Sequence, residues 1–127
     1  LNYVDANILI YALDDEGAKG KASRSLILNQ RLATSVLSLD EVAYKLGRKS
    51  QSRAVTAVEG LCKSESLELV PFLPQDSTAF IGLLKAGFLP RDAIHALCAK
   101  KVRASVIYSE DADFDKLDIV RKVPWKP

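Results

Sequence analysis

Short apolar runs alternate along this chain with longer stretches of helical periodicity, and that alternation restricts its fold more than any other feature. Strand-like runs fall at Tyr3-Val4, Leu32-Ala33-Thr34, Leu67 to Pro71, Ser105 to Tyr108 and Leu117 to Val120. Helical spacing of apolar residues covers Ala6 to Leu13, Gly20 to Gln30, Val36 to Arg48, Ser52 to Cys62, Asp76 to Lys85 and Pro90 to Lys101. Pro90 sits at a favoured first-turn position, and Lys100 and Lys101 suit the last turn of the same helix. Strands interleaved with helices in this way predict a three-layer α/β/α sandwich around a central, largely parallel sheet. In the helix from Ser52, Val55 and Val58 are expected to face inward with Leu61 or Cys62.

The 127 residues suffice for one domain with a real core, spanning 1–127. With 48% hydrophobic and 27% charged residues, the composition is that of an ordinary globular chain. No apolar stretch reaches the roughly 18 residues of a membrane span. The first residues carry neither a basic segment nor a small-residue cleavage site, so a cytoplasmic protein without a secretory signal is expected. Cys62 and Cys98 each sit alone in an apolar helical pattern and are expected to be buried, reduced thiols. Two cysteines and one histidine argue against a structural zinc site. A net charge of +2 is too small to point to nucleic acid by itself.

Four acidic residues, Asp5, Glu41, Asp92 and Asp111, stand where apolar runs stop or helices begin. Asp5 and Asp111 fall just past strand ends, where α/β sheets gather their sites. Each has an ordinary explanation. Asp5 suits an N-cap, and Ser38-Leu39-Asp40-Glu41 spells a capping box unless Thr34 or Ser35 caps that helix instead. Asp92 suits the first turn of a helix, and Asp111 belongs to a solvated acidic turn with Glu110, Asp113 and Asp115. His95, one turn past Asp92, reads as a packed or solvated histidine. Brought together, four carboxylates would repel one another by roughly 4 kcal/mol per pair at ~4 Å, so their pKa values would rise or hard cations would sit among them.

In order and in local context, these blocks resemble the PIN-domain nucleases. Tyr3-Val4-Asp5-Ala6-Asn7-Ile8-Leu9 is similar to that family's opening strand with D-x-N. Thr34-Ser35 followed by Glu41 resembles its second acidic position. Asp92-Ala93-Ile94-His95-Ala96 resembles its third block, and Ser109-Glu110-Asp111-Ala112-Asp113-Phe114 its fourth. The resemblance covers essentially the whole chain, and its small size is most like the VapC-type toxins of toxin–antitoxin pairs. It implies hydrolysis of RNA phosphodiester bonds with Mg2+ or Mn2+. It places Asp5, Asp92 and Asp111 on the metal, Glu41 on a bound or attacking water, and Asn7, Ser109, Asp113 and Arg91 around them or on the substrate. It further implies an antitoxin protein and a homodimer as partners. A processing nuclease, or a non-catalytic interaction module on the same fold, is the alternative.

Other acidic-site folds fit less well. A phosphoacceptor receiver needs an aspartate ending the third strand, and Leu67 to Pro71 ends without one. A dehalogenase-type phosphatase needs D-x-D after the first strand, and position 7 is Asn. No glycine-rich phosphate loop is present. Cations for an RNA backbone are offered by Arg48, Lys49, Arg53 and Arg91, while no aromatic-rich platform for bases is legible. If the turn after Ser109 is helical, Asp111 and Asp113 are expected to point about 200° apart, leaving Asp111 as the better ligand.

Overall fold

The computed structural model describes residues 1–127 and contains five strands and six α-helices. The strands are β1 (Asn2–Val4), β2 (Leu32–Ser35), β3 (Leu67–Val70), β4 (Val106–Tyr108) and β5 (Val120–Lys122). The helices are α1 (Ala6–Asp14), α2 (Ala18–Asn29), α3 (Leu37–Gly47), α4 (Gln51–Lys63), α5 (Ser77–Lys85) and α6 (Pro90–Lys101). All four strand pairings are parallel, in the order β3-β2-β1-β4-β5.

Strand side chains alternate between two cores, as the pleat requires. Tyr3, Ala33, Val70 and Ile107 face a layer made by α5 and α6. Val4, Leu32 and Leu67 face the opposite layer, which Ile8, Leu9, Val42, Leu46, Ala54, Ala57 and Leu61 supply from α1, α3 and α4. The three-layer sandwich is therefore present, with a wholly parallel sheet. Because the chain winds outward from β1 through β2 to β3 and then returns to β4 on the other side of β1, the strand order reverses between β1 and β4. Ligand sites of parallel α/β sheets form at such a reversal, beyond the carboxyl ends of the strands.

Three expectations need correcting. The last strand is Val120–Lys122, not Leu117 to Val120, because a 3-10 turn over Ala112–Lys116 occupies the preceding chain. Helix α4 turns Ala54, Ala57 and Leu61 inward and leaves Val55 50% exposed. Small residues on that face let α4 lie close against α3. Cys62, on the outward side of the same helix, is exposed, whereas Cys98 is buried.

The α1–α2 corner is closed by hydrogen bonds around Asp15. The Gly20 N–H donates to Asp15 Oδ2 at 2.8 Å, and Arg24 donates to the Asp15 and Ala12 carbonyls at 2.7 and 3.1 Å. A Cβ on Gly20 would lie 1.8 Å from the Asp15 carbonyl oxygen, so only glycine fits. Gly20→Ala should therefore cost about 1–3 kcal/mol through forced displacement of the corner. Urea unfolding checks this, and a variant as stable as the parent would contradict the close approach.

Candidate functional site

Asp5 follows β1 and Ser109 follows β4, so the two residues meet at the strand-order reversal. The Asp5 N–H donates to the Tyr108 carbonyl at 2.9 Å, extending the β1–β4 ladder by one bond. The Ser109 hydroxyl donates to Asp5 Oδ2 at 2.6 Å. Asp5 occupies the N-cap position of α1, yet its side chain makes no capping bond to the helix. Its buried carboxylate is committed to Ser109 and to His95 Nε2, 3.4 Å away. Burial lifts the Asp5 carboxyl above the usual aspartate range, and His95 and Ser109 oppose that lift without cancelling it.

Glu41 has no capping duty either. The Leu37 N–H donates to Ser35 Oγ at 3.0 Å, so Ser35 serves the start of α3. Ser38 bonds Thr34 Oγ1 at 2.6 Å, which leaves no capping box. Glu41 thus lies one turn into the helix and meets His95 Nε2 at 2.6 Å.

His95 is 1% exposed and sits at the centre of a polar chain that the sequence did not disclose. The Ser35 N–H donates to the Tyr3 hydroxyl at 2.9 Å, and that hydroxyl lies 2.6 Å from His95 Nδ1. A neutral imidazole satisfies every member. Tyr3 O–H donates to Nδ1, and Nε2–H donates to Glu41. Protonating Nδ1 would take away the acceptor of the buried Tyr3 hydroxyl hydrogen. Burial also resists a charge on the ring, but the bond to Glu41 and the charges of Asp5, Glu41 and Asp92 outweigh it and raise the His95 pKa. The signals available in the sequence were the i,i+3 spacing from Asp92 to His95, which puts both on one helix face, and the inward phase of Tyr3 in β1.

The other carboxylates form a second group. One ligand oxygen from each of Asp92, Asp111 and Asp113 lies within 4.8 Å of the others. Asp92 is the third residue of α6, behind Pro90, where the helix dipole favours a negative charge. Burial, with repulsion behind it, wins nevertheless. Burial, then the charge and hydrogen bond of Asp111, then Asp5 and Asp113 push the Asp92 pKa up to about 6. Asp111 precedes the 3-10 turn instead of lying within it, and its Oδ1 accepts the Asp113 N–H at 2.9 Å. The Asp111 N–H donates in turn to Ser109 Oγ at 3.0 Å. Hence Asp111 and Asp113 do not point apart as expected, and both face Asp92. Asn7, in the first turn after Asp5, carries a buried Oδ1 with no hydrogen-bond partner.

Three hard oxygen donors at this separation, with no cation paired to Asp92 or Asp111, suit a divalent cation. Asp5 and Glu41 lie outside that triad and have His95 Nε2 as a shared polar neighbour, at 3.4 and 2.6 Å. Of the cations expected near the site, Arg91 is exposed beside Asp92. Lys49 and Arg53 are bound instead to Asp14, at 2.6 Å for the lysine and through a short guanidinium contact for the arginine. Arg48 lies over the Tyr44 ring.

A family model for the PIN domain matches residues 3–120. The chain belongs to the PIN-domain family. This PIN domain is similar to the solved structure of VapC20 from Mycobacterium tuberculosis, a sarcin-ricin loop cleaving toxin. The identity is 18% and the TM-score 0.77, over 94% of this chain and 99% of that one. It is also similar to VapBC-1 from nontypeable Haemophilus influenzae (17% identity, TM-score 0.72, 98% of each chain). VapBC2 from Rickettsia felis, solved bound to a DNA fragment from its promoter, matches at 17% identity and TM-score 0.69 over 96% of this chain and 97% of that one. No curated protein matches by sequence.

Asp92 sets a pH dependence whose sign is fixed. Its folded pKa of about 6 exceeds the ordinary 3.8, so without metal the folded state binds the extra proton and stability falls as pH rises through that interval. Asp92→Asn should flatten the decline between about pH 4 and 6 and make the metal-free domain more stable than the parent at neutral pH. Urea unfolding across that range in excess chelator is the measurement. An asparagine variant that is less stable at pH 7, with an unchanged pH profile, would show that Asp92 is under no electrostatic stress.

Proposed function

We propose that this chain is a divalent-metal-dependent endoribonuclease, a phosphodiester hydrolase acting in the cytoplasm as the toxin of a toxin–antitoxin pair. The observation that carries this reading is the carboxylate triad at the strand-order reversal of a PIN-domain sheet, with Asp5 and Glu41 flanking it. Similarity in fold to VapC20 and to toxins solved with their antitoxins supports the biological setting.

Asp92, Asp111 and Asp113 would hold the ion, Mg2+ or Mn2+ by the hardness of their oxygens. When bound, such an ion lowers the pKa of a coordinated water and offsets charge developing on the phosphate. Asp5 lines the floor of the site, with Oδ2 held by Ser109 and Oδ1 beside His95 Nε2. Glu41 accepts the proton of the attacking water. His95 supports it by donating from Nε2, which aims the Glu41 carboxylate, and Tyr3 holds the ring in that tautomer. Asn7 Oδ1, buried and unpartnered, is available to a bound water. Arg91, exposed at the start of α6, meets the substrate backbone.

An apolar groove of about 390 Å3 between α1, α2 and α4, lined by Leu13, Ile27 and Leu61 among others, supports a protein partner such as an antitoxin. Leu28 at its edge is 83% exposed, a large apolar side chain that association would cover. A homodimer belongs to the same reading.

The test is cleavage of single-stranded RNA by the purified chain with added Mg2+ or Mn2+. Activity should appear with metal, vanish in chelator, and fall by orders of magnitude in Asp92→Asn with the fold intact. Undiminished cleavage in excess chelator would sink the mechanism. Calorimetric titration should show metal binding weakened by both Asp111→Asn and Asp113→Asn. A loss confined to Asp111 would exclude Asp113 from the centre.

The toxin assignment has its own measurement. Induced expression should arrest growth of a bacterial host, and co-expression of the small protein encoded beside this gene should relieve the arrest. Growth unaffected by an active, well-expressed chain would point to RNA processing instead.

A further inference from the structure

Beyond the carboxylates, the C-terminal segment builds a second feature. A cavity of about 480 Å3 lies between the end of β5, the residues after it and Glu110. Its volume is within the range of small-ligand sites. Trp125 forms part of its wall, with Lys122 and Lys126 on the rim. Trp125 is half-buried, packed edge-to-face on Tyr11 with ring centres 5.4 Å apart. Lys19 Nζ covers it at 4.9 Å from the ring centre. Lys19 itself does not line the cavity.

The charges here are sorted unevenly. Glu110 is neutralised by Lys19 at 2.6 Å and accepts the Tyr11 hydroxyl at 2.6 Å. Arg121 is engaged by Asp115 at 2.9 Å and donates to the Ser109 carbonyl at 3.2 Å. Lys122 and Lys126 are exposed and form no ion pair. Two free cations and an indole therefore border a cavity whose wall includes Glu110, the residue between Ser109 and Asp111. The same short segment sends Asp111 toward the triad and Glu110 toward the cavity.

We infer that this cavity is a nucleotide subsite for the substrate strand, with Trp125 as the surface on which a base stacks and Lys122 and Lys126 as contacts to backbone phosphate. The inference rests on the ribonuclease reading above and names where the strand runs as it leaves the metal centre. Stacking on an aromatic face tolerates any base, and flanking lysines add a salt-sensitive grip. The chain has one tryptophan, so this residue reports on its own occupancy.

The experiment is a fluorescence titration of the full chain with a short single-stranded oligoribonucleotide in excess chelator, where no cleavage competes. Anisotropy of a labelled copy follows binding in parallel. Saturable quenching of Trp125 should track the anisotropy. A duplex of the same length should quench far less. Lys122→Ala with Lys126→Ala should weaken binding several-fold and flatten its salt dependence. In metal-supported cleavage, Trp125→Ala should raise KM by about fivefold to a hundredfold, as expected for losing a stacked base, with the loss in KM and not in kcat. Trp125→Phe, which keeps an aromatic face, should restore most of the affinity. Oligonucleotide binding without quenching, or Trp125→Ala with parental KM, would overturn the subsite while leaving the ribonuclease reading standing. Should Trp125→Ala fail to fold, the wild-type titration and Trp125→Phe decide alone. Absence of any RNA binding or cleavage by the wild-type chain would remove both readings.

Discussion

Everything at the candidate site depends on β1 being flanked by parallel partners on both sides. Pairing Tyr3 with Ala33 on one side and with Ile107 on the other forces the ends of β1, β2 and β4 to a common edge. Asp5, Ser35 and Ser109 are the first residues at or beyond those ends. Their hydrogen bonds to Tyr108, Tyr3 and Asp5 close the edge into a polar floor. An antiparallel neighbour would have sent one of these groups to the opposite edge, some strand length away.

On that floor the acidic residues separate into two electrostatic situations. Asp5 and Glu41 share His95, a buried ring whose other nitrogen is held by Tyr3. Asp92, Asp111 and Asp113 share nothing comparable. Lys116 approaches Asp113 only at 3.9 Å and is half exposed. Full charges within 4.8 Å of one another would repel by at least about 3 kcal/mol per pair at an effective dielectric near 20. Burial and that repulsion together raise the Asp92 pKa, which marks the place where a cation would be most welcome. The division also explains why a histidine lies beneath acidic residues. It gives the buried Asp5 and the half-buried Glu41 a shared polar neighbour.

Particular residues show how far the sequence could be read. Asp5, Glu41, Asp92 and Asp111 each carried a respectable local explanation, and the structure removes two of them. Asp5 does not cap α1 through its side chain, and Glu41 is not in a capping box, because Ser35 and Ser38 are otherwise engaged. The expectation that Asp111 and Asp113 point apart held only for a helical turn including both residues. With Asp111 ahead of a 3-10 turn, both side chains reach the same space. Tyr11 and Trp125 lie 114 positions apart in the chain, too far for any local pattern to pair them, yet their ring centres are 5.4 Å apart. The aromatic surface missing from the sequence reading is made by that meeting.

What the sequence determined by itself is the architecture and the set of acidic blocks. Period-2 and period-3.6 patterns are local, and burying one face of each element leaves few arrangements other than a parallel sheet between helices. Tertiary structure alone decided which carboxylates stand together and which are neutralised. His95 reaches Glu41 and Tyr3 across 54 and 92 residues, contacts that depend on how α3, α6 and β1 are packed. Angstrom-scale placement of charge follows from that packing, and charge energies change steeply with distance and burial. A one-dimensional pattern holds neither quantity.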